Sequence, residues 1–153
     1  MKNTGNKIYK AVSIIFLIVV MVTIFVLSHQ DGTESSQTSG LVTKLLSLVF
    51  GDNVPEAIVR TFGHFSEFAA LGFLSTNCYY AFKEKRKPVL CAFLSWLYAW
   101  TDEIHQIFVD GRAFQISDLL VDLGGIICGT VLIIVIILLT KKIKRQKRSG
   151  NQN

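Results

Sequence analysis

Charged residues are scarce in this sequence, and two long stretches have none. Only 18% of the 153 residues are charged, and the runs Ala11 to Leu27 and Leu123 to Leu139 contain no charged side chain. As a helix, each run would extend about 26 Å, close to the thickness of the hydrocarbon core of a bilayer. This composition argues against a soluble globular domain and predicts an integral membrane protein.

Disulfide, metal-ligand and cleavage motifs are also missing. The sequence has three cysteines, and Cys78, Cys91 and Cys128 lie in apolar stretches without the spacing of a disulfide framework or a zinc site. We interpret them as small apolar packing residues. No small-x-small cleavage site follows Leu27, which favours an uncleaved first helix over a signal peptide.

The basic residues are concentrated in three clusters. Thirteen of the sixteen Lys and Arg residues lie within 2–10, 83–87 and 141–148. Pairs of apolar segments separate the clusters, so all three fall on one side of a four-helix arrangement. The positive-inside rule places that side in the cytoplasm, together with both termini. We interpret the basic tail, 141–153, as an anchor to anionic lipid and expect no nucleic-acid partner.

Apolar runs and turn residues predict one all-α membrane domain over residues 1–153. Pro55 and a capping-box pattern formed by Asn53 and Glu56 predict the start of the second helix, and Ser117 is the expected N-cap of the fourth. In the first external loop, apolar residues within 41–49 predict a short interfacial helix that is too short to cross. The four predicted transmembrane helices cover about 8–27, 56–82, 89–109 and 116–140.

Polar side chains that lipid does not solvate concentrate at the ends of three predicted helices. Arg60, His64 and Glu67 share one helix face, because they are spaced i, i+4, i+7. Ionisable groups within membrane spans mark a functional site by default, and in an alternating bundle these three helix ends are external. We therefore predict an outward-facing binding pocket lined by Arg60, His64, Glu67, Asp102, Glu103, His105, Gln106, Arg112, Asp118 and Asp122.

One face of the fourth helix combines acids with glycines. Asp118, Asp122, Gly125 and Gly129 follow one another at steps of four and three residues. The two glycines allow a neighbouring helix to approach closely. The two acids point into the same seam between helices.

The polar residues admit two further interpretations. The arginines could pair with the acids as buried ion pairs that only fix helix register. A divalent ion could bind a group formed by four of the residues, but that group lacks a recognised signature such as His-Glu-x-x-His. We therefore predict no metal site and no cofactor. The group in question is His64, Glu67, Glu103 and His105.

Three sequence motifs together resemble the VanZ-like family of membrane proteins. The resemblance covers roughly Ile14 to Leu139 and implies a multipass protein of the bacterial cell envelope. The founding member of that family is associated with resistance to the glycopeptide teicoplanin, and the resemblance implies no defined reaction. The motifs are Arg60-x-x-x-His64-Phe65-x-Glu67-Phe68, Asp102-Glu103-x-His105-Gln106-x-Phe108, and Gly111-Arg112 followed by Ser117-Asp118-x-x-x-Asp122-x-x-Gly125-x-x-x-Gly129.

We expect the pocket to bind an envelope component with a polar head and an apolar tail. Membrane lipid, a lipid-linked cell-wall precursor or a lipoglycopeptide fits this description, with Arg60 and Arg112 contacting phosphate or carboxylate oxygens. The alternative is an intramembrane hydrolase or transferase acting on a lipid-linked substrate. Its catalytic candidates are Glu67 or Glu103 as general base, with His64 or His105 as partner. Whether the protein is an enzyme, and its oligomeric state, stay open at this level.

Overall fold

A computed structural model describes residues 2–30, 47–48 and 55–150 of the chain. This part of the chain contains no strand, which confirms the all-α prediction. Residues 47 and 48 are helical, but the rest of the predicted interfacial helix lies outside the described residues. The long helices are α1 (Lys2–Ser28), α2 (Glu56–Lys83), α3 (Pro88–Gln106) and α4 (Ile116–Gly150).

Helix α2 begins and ends close to the predicted positions. It starts at Glu56, directly after Pro55, whose backbone is extended. Asn53, the other half of the expected capping box, lies outside the described residues. At the far end, Glu84 adopts a left-handed conformation with φ 53°, and its N–H donates to the Tyr80 carbonyl at 2.9 Å. This cap ends the helix at Lys83 and starts the short turn to α3.

Helix α3 ends earlier than the predicted limit near Val109. Its last residue is Gln106, and the Val109 N–H donates to the Gln106 carbonyl at 3.1 Å in a turn. Gly111 follows with φ 76°, a conformation that favours glycine. The tight turn between α3 and α4 therefore begins about three residues sooner than hydropathy indicated.

The N-cap prediction for α4 is wrong. The helix begins at Ile116, so Ser117 lies inside its first turn. The backbone N–H of Gln115, just before the helix, donates to Glu103 Oε2 of α3 at 2.9 Å. This contact ties the residue before α4 to α3, whereas a Ser117 cap would have accepted N–H groups two or three residues further along the helix. At its other end α4 continues through most of the basic tail to Gly150.

The most extensive helix contact is that between α2 and α4. A Cβ atom added at Gly125 would overlap the carbonyl oxygen of Phe65, and one at Gly129 would overlap the carbonyl oxygen of Ala69. The two backbones therefore pass too close for any side chain at these positions. The predicted close approach along the glycine face is confirmed.

Apolar side chains form both the core and much of the surface. Among the described residues, two helices are long and apolar enough to cross a membrane, Asn6–Ser28 and Ile116–Arg148. Helices α2 and α3, which each have one polar end, do not meet that criterion. The criterion therefore supports two candidate spans, where four were predicted. The buried core consists of Ile24, Phe68, Leu71, Ala99, Leu119 and Ile126.

The basic clusters meet at one end of the helix assembly. Lys10 of α1 lies 5.8 Å from the ring centroid of Phe82, and Lys141 of α4 lies 5.0 Å from that of Tyr80. Phe82 and Tyr80 belong to the last turns of α2, next to its basic turn with α3. Basic residues from all three clusters are therefore neighbours at the same end.

Candidate functional site

The opposite end of the assembly gathers buried polar side chains. It is formed by the beginning of α2, the end of α3 and the beginning of α4. Burying so many carboxyl groups is costly unless cations or hydrogen-bond donors compensate them, so the partners of each group decide its chemistry. The exposed fractions are 0% for Glu103 and Asp122, 1% for Gln106, 6% for Asp102, 8% for His64 and 9% for Asp118.

Arg60 forms an ion pair across the seam between α2 and α4. Its Nη2 lies 2.5 Å from Asp118 Oδ2. In the amide orientation that satisfies both groups, the Gln115 side-chain oxygen accepts from Arg60 Nη1 and Nη2 at 2.9 and 3.0 Å. Two neighbours therefore already engage the guanidinium, which fits the interpretation of Arg60 as a register-fixing residue.

His64 lies between two carboxyl groups that are one turn apart on α4. Its Nδ1 is 3.1 Å from Asp122 Oδ1, and its Nε2 is 3.8 Å from Asp118 Oδ2. A neutral imidazole donates through one nitrogen only. The other nitrogen then presents a lone pair to a carboxylate oxygen, so this geometry favours a second proton or a cation between them.

Glu103 has one engaged and one unengaged carboxyl oxygen. Oε2 accepts the Gln115 N–H, whereas Oε1 has no hydrogen-bond partner within the described part of the chain. One donor atom each from Glu103, His64 and Asp118 lie within 4.8 Å of one another. This trio differs from the divalent-ion group considered from the sequence, because it includes Asp118 and omits Glu67 and His105.

Two more acids lie close to this trio. Gln106 Nε2 donates to Asp102 Oδ2 at 3.2 Å, one turn apart on α3. Glu67 on α2 interacts electrostatically with both His64 and Asp102. The predicted acids of α2, α3 and α4 therefore belong to one electrostatic cluster.

Arg112 supplies the second cation, from the turn between α3 and α4. Its Nε donates to the carbonyl of Gln30 at 3.3 Å, which ties this turn to the segment after α1. Burial and the nearby Arg60 lower the pKa of the Arg112 guanidinium from its ordinary value, while Asp102 and Glu67 oppose that shift. The guanidinium is therefore part of the same charge cluster.

His105 faces α1. Its Nε2 lies 3.1 Å from His29 Nδ1, and its ring stacks on Phe25 and His29 with centroid distances of 4.9 and 5.3 Å. These contacts join the ends of α1 and α3. Of the two candidate histidines, His64 is the one that the structure brings together with Glu103 and Asp118.

Sequence reasoning missed two members of this region. Gln115 contacts Glu103 through its backbone N–H and Arg60 through its amide, but neither contact follows from a motif. His29 belongs to the polar Ser28-His29-Gln30 stretch, which was a usable signal. Its partner, His105, is 76 positions away in the chain, so their pairing does not follow from local spacing.

The fold and the polar cluster together define a class of protein. It is a helical, membrane-associated protein with two strongly apolar helices and ionisable groups buried between its helices. The chain belongs to the VanZ/LLP1 family, whose model matches residues 13–138, a range that contains every predicted site residue. The resemblance seen in the motifs is thereby confirmed. No curated protein and no solved structure matches the chain.

Proposed function

We propose that all four helices cross the cell membrane, with both termini in the cytoplasm. Support comes from α3, whose outward face is apolar and whose buried face is polar. Leu94 and Ile104 are 55% and 48% exposed, while Asp102 and Glu103 are buried. A helix in water shows the reverse pattern. The 19 residues of α3 extend about 28 Å, enough to span the hydrocarbon core.

The distribution of charge along the helices supports the orientation. The end carrying Lys10, Lys141 and the basic turn 83–87 is the end that the positive-inside rule assigns to the cytoplasm. The polar cluster lies at the other end of the same helices. In this arrangement it is level with the headgroups of the outer leaflet.

The polar cluster binds the head of an amphipathic envelope component, while the apolar tail stays in lipid. One observation carries this proposal: five carboxyl groups and two arginines from three helices and a turn converge at one end of the assembly. Since carboxyl groups outnumber arginines, the site favours heads rich in hydroxyl or amine donors. Arg112, in the turn between α3 and α4, supplies a cation for an anionic part of the head.

A membrane lipid, a lipid-linked cell-wall precursor and a lipoglycopeptide share this chemistry. Binding any of them at the outer leaflet could change how much glycopeptide reaches its target. A contribution to teicoplanin resistance would follow from such binding.

The test removes the Arg112 guanidinium and follows the lipids that copurify with the protein. Arg112→Ala should lower the enriched lipid or precursor at least tenfold, about 1.4 kcal/mol of binding energy. Arg86→Ala, the same change in the exposed basic turn, serves as the matched control. Mass spectrometry of the extracts and teicoplanin susceptibility of complemented deletion strains are the readouts.

Equal lipid retention and equal susceptibility in both variants, at equal membrane levels of protein, would contradict the binding proposal. Retention lost in Arg86→Ala as well would assign binding to general charge attraction. In that case the polar cluster would not be the site.

A second candidate function is an intramembrane hydrolase or transferase. Two acceptor atoms favour it. Glu103 Oε1, which has no hydrogen-bond partner among the described residues, and the His64 nitrogen that faces Asp118 could each accept a proton from a water or hydroxyl nucleophile. Product release from a lipid-linked substrate in micelles, lost in Glu103→Gln, would support this activity. Absence of turnover by the unmodified protein would exclude it for the substrate tested.

A further inference from the structure

We infer that His64, Glu103 and Asp118 form a binding site for a divalent transition-metal ion, with Zn²⁺ as the best-fitting ion. The three side chains come from α2, α3 and α4, and all three are buried. The inference does not rest on the proposed lipid binding, because it depends only on contacts among these side chains. It also replaces the group of four residues considered from the sequence.

The distances are close to those of a tetrahedral site. Zinc bonds of about 2.1 Å to nitrogen and oxygen place neighbouring ligand atoms about 3.4 Å apart. His64 Nε2 and Asp118 Oδ2 are 3.8 Å apart, and the donor atoms of all three residues lie within 4.8 Å. Side-chain rotations that shorten these separations to about 3.4 Å would complete the site.

The unengaged oxygen of Glu103 is an independent sign of a missing partner. Glu103 is 0% exposed, and its Oε1 accepts no hydrogen bond from any described residue. A buried carboxyl oxygen without a partner carries its full desolvation cost. A bound cation would remove that cost, and Oε2 would keep its hydrogen bond from Gln115.

The orientation of His64 fits that of a metal-bound histidine. Metal-ligating histidines commonly donate their second ring N–H to a carboxylate, which fixes the tautomer and the ring plane. Asp122 Oδ1 lies 3.1 Å from His64 Nδ1 and is placed for this role. With the proton on Nδ1, the Nε2 lone pair faces Asp118, where the ion would lie.

The donor set selects the class of ion. One imidazole and two carboxylates suit Zn²⁺ or similar first-row ions, whereas Mg²⁺ and Ca²⁺ prefer oxygen ligands alone. Two carboxylates also balance a double positive charge in a site that excludes water. Asp118 Oδ2 faces both Arg60 Nη2 and His64 Nε2, so the ion and Arg60 would share this oxygen.

The experiment titrates Zn²⁺ into the full chain, stripped of metal and held in detergent micelles without added lipid. We expect one ion per chain by calorimetry in the presence of excess Mg²⁺. Glu103→Gln should weaken the affinity at least tenfold, because it removes one charged ligand. Asp110→Asn, the same chemical change at an exposed position in the adjacent turn, should bind as tightly as the unmodified protein.

X-ray absorption at the zinc edge of the unmodified protein provides a readout that needs no variant. It should show one imidazole with oxygen ligands and no sulfur. Failure of the unmodified protein to bind zinc, equal affinity in a correctly folded Glu103→Gln, or a different ligand set would overturn the inference. Lipid retention is measured separately, so a negative zinc result leaves the proposed lipid binding standing.

Discussion

At the scale of single residues, side chains of the same type have different roles in the polar cluster. Arg60 and Arg112 were expected to act together on a ligand, but Arg60 is held by Asp118 and Gln115. Likewise, His64 lies among carboxyl groups, whereas His105 stacks against α1. Neighbours in three dimensions, rather than residue type, determine these roles.

The contact of His105 with α1 leads to a prediction about stability. His105→Ala should lower the free energy of unfolding by about 1–3 kcal/mol, because it removes the stacking on Phe25 and the hydrogen bond with His29. Phe108→Ala, a nearby change at a side chain that is 80% exposed, should change it by less than about 0.5 kcal/mol. Thermal unfolding in detergent measures both. Similar midpoints for the two variants would show that the stack contributes no stability.

At the scale of helices, backbone contact between α2 and α4 holds the site together. Asp118 and Asp122 lie on the same face of α4 as Gly125 and Gly129. The close approach at the glycines therefore brings the two acids against Arg60 and His64 of α2. The sequence indicated this coupling, since the four residues share one helical face.

Adding one methyl group in this seam should separate the helices. Gly129→Ala would place a Cβ on the Ala69 carbonyl, where backbone rather than a flexible side chain must move, and should cost about 1–3 kcal/mol or more. Gly124→Ala is the matched control, because its Cβ would meet only Phe65 Cε2, at an ordinary 3.8 Å. Unfolding in detergent compares the two, and equal stability would refute the close approach.

At the scale of the whole molecule, the arrangement reverses the usual one, with acids inside and large apolar side chains outside. Such a surface is stable in lipid, where no water competes for the buried polar groups. Among the helices that the structure describes, length and composition alone select α1 and α4 as spans. The polar ends of α2 and α3 lower their overall hydropathy, although their outer faces are apolar.

The proposed four-span topology can be tested by labelling from outside the cell. With the three native cysteines replaced by serine, Asp110→Cys should react with a membrane-impermeant maleimide in intact cells. Glu84→Cys, the matched acid in the basic turn, should react only after the cells are opened, because the proposed topology places that turn in the cytoplasm. The reverse pattern, or labelling of both positions in intact cells, would contradict the topology.

Much of this protein could be predicted from the order of its residues alone. The helix class, the start of α2 at Glu56, the glycine seam and the membership of the family all follow from periodicity, charge-free runs and local motifs. Such features depend on neighbours within one or two turns, or on the preference of a segment for lipid over water. Both are properties of the local sequence.

Only the tertiary structure decided which polar groups of different helices contact one another. It determined that α4 begins before Ser117, that Glu103 accepts the Gln115 N–H, and that Asp118 joins His64 and Glu103. Such pairings depend on helix rotation and axial offset at the ångström scale, and many different offsets are compatible with the same polar pattern. Periodicity shows which face of a helix is polar, but packing alone selects the side chain that this face meets.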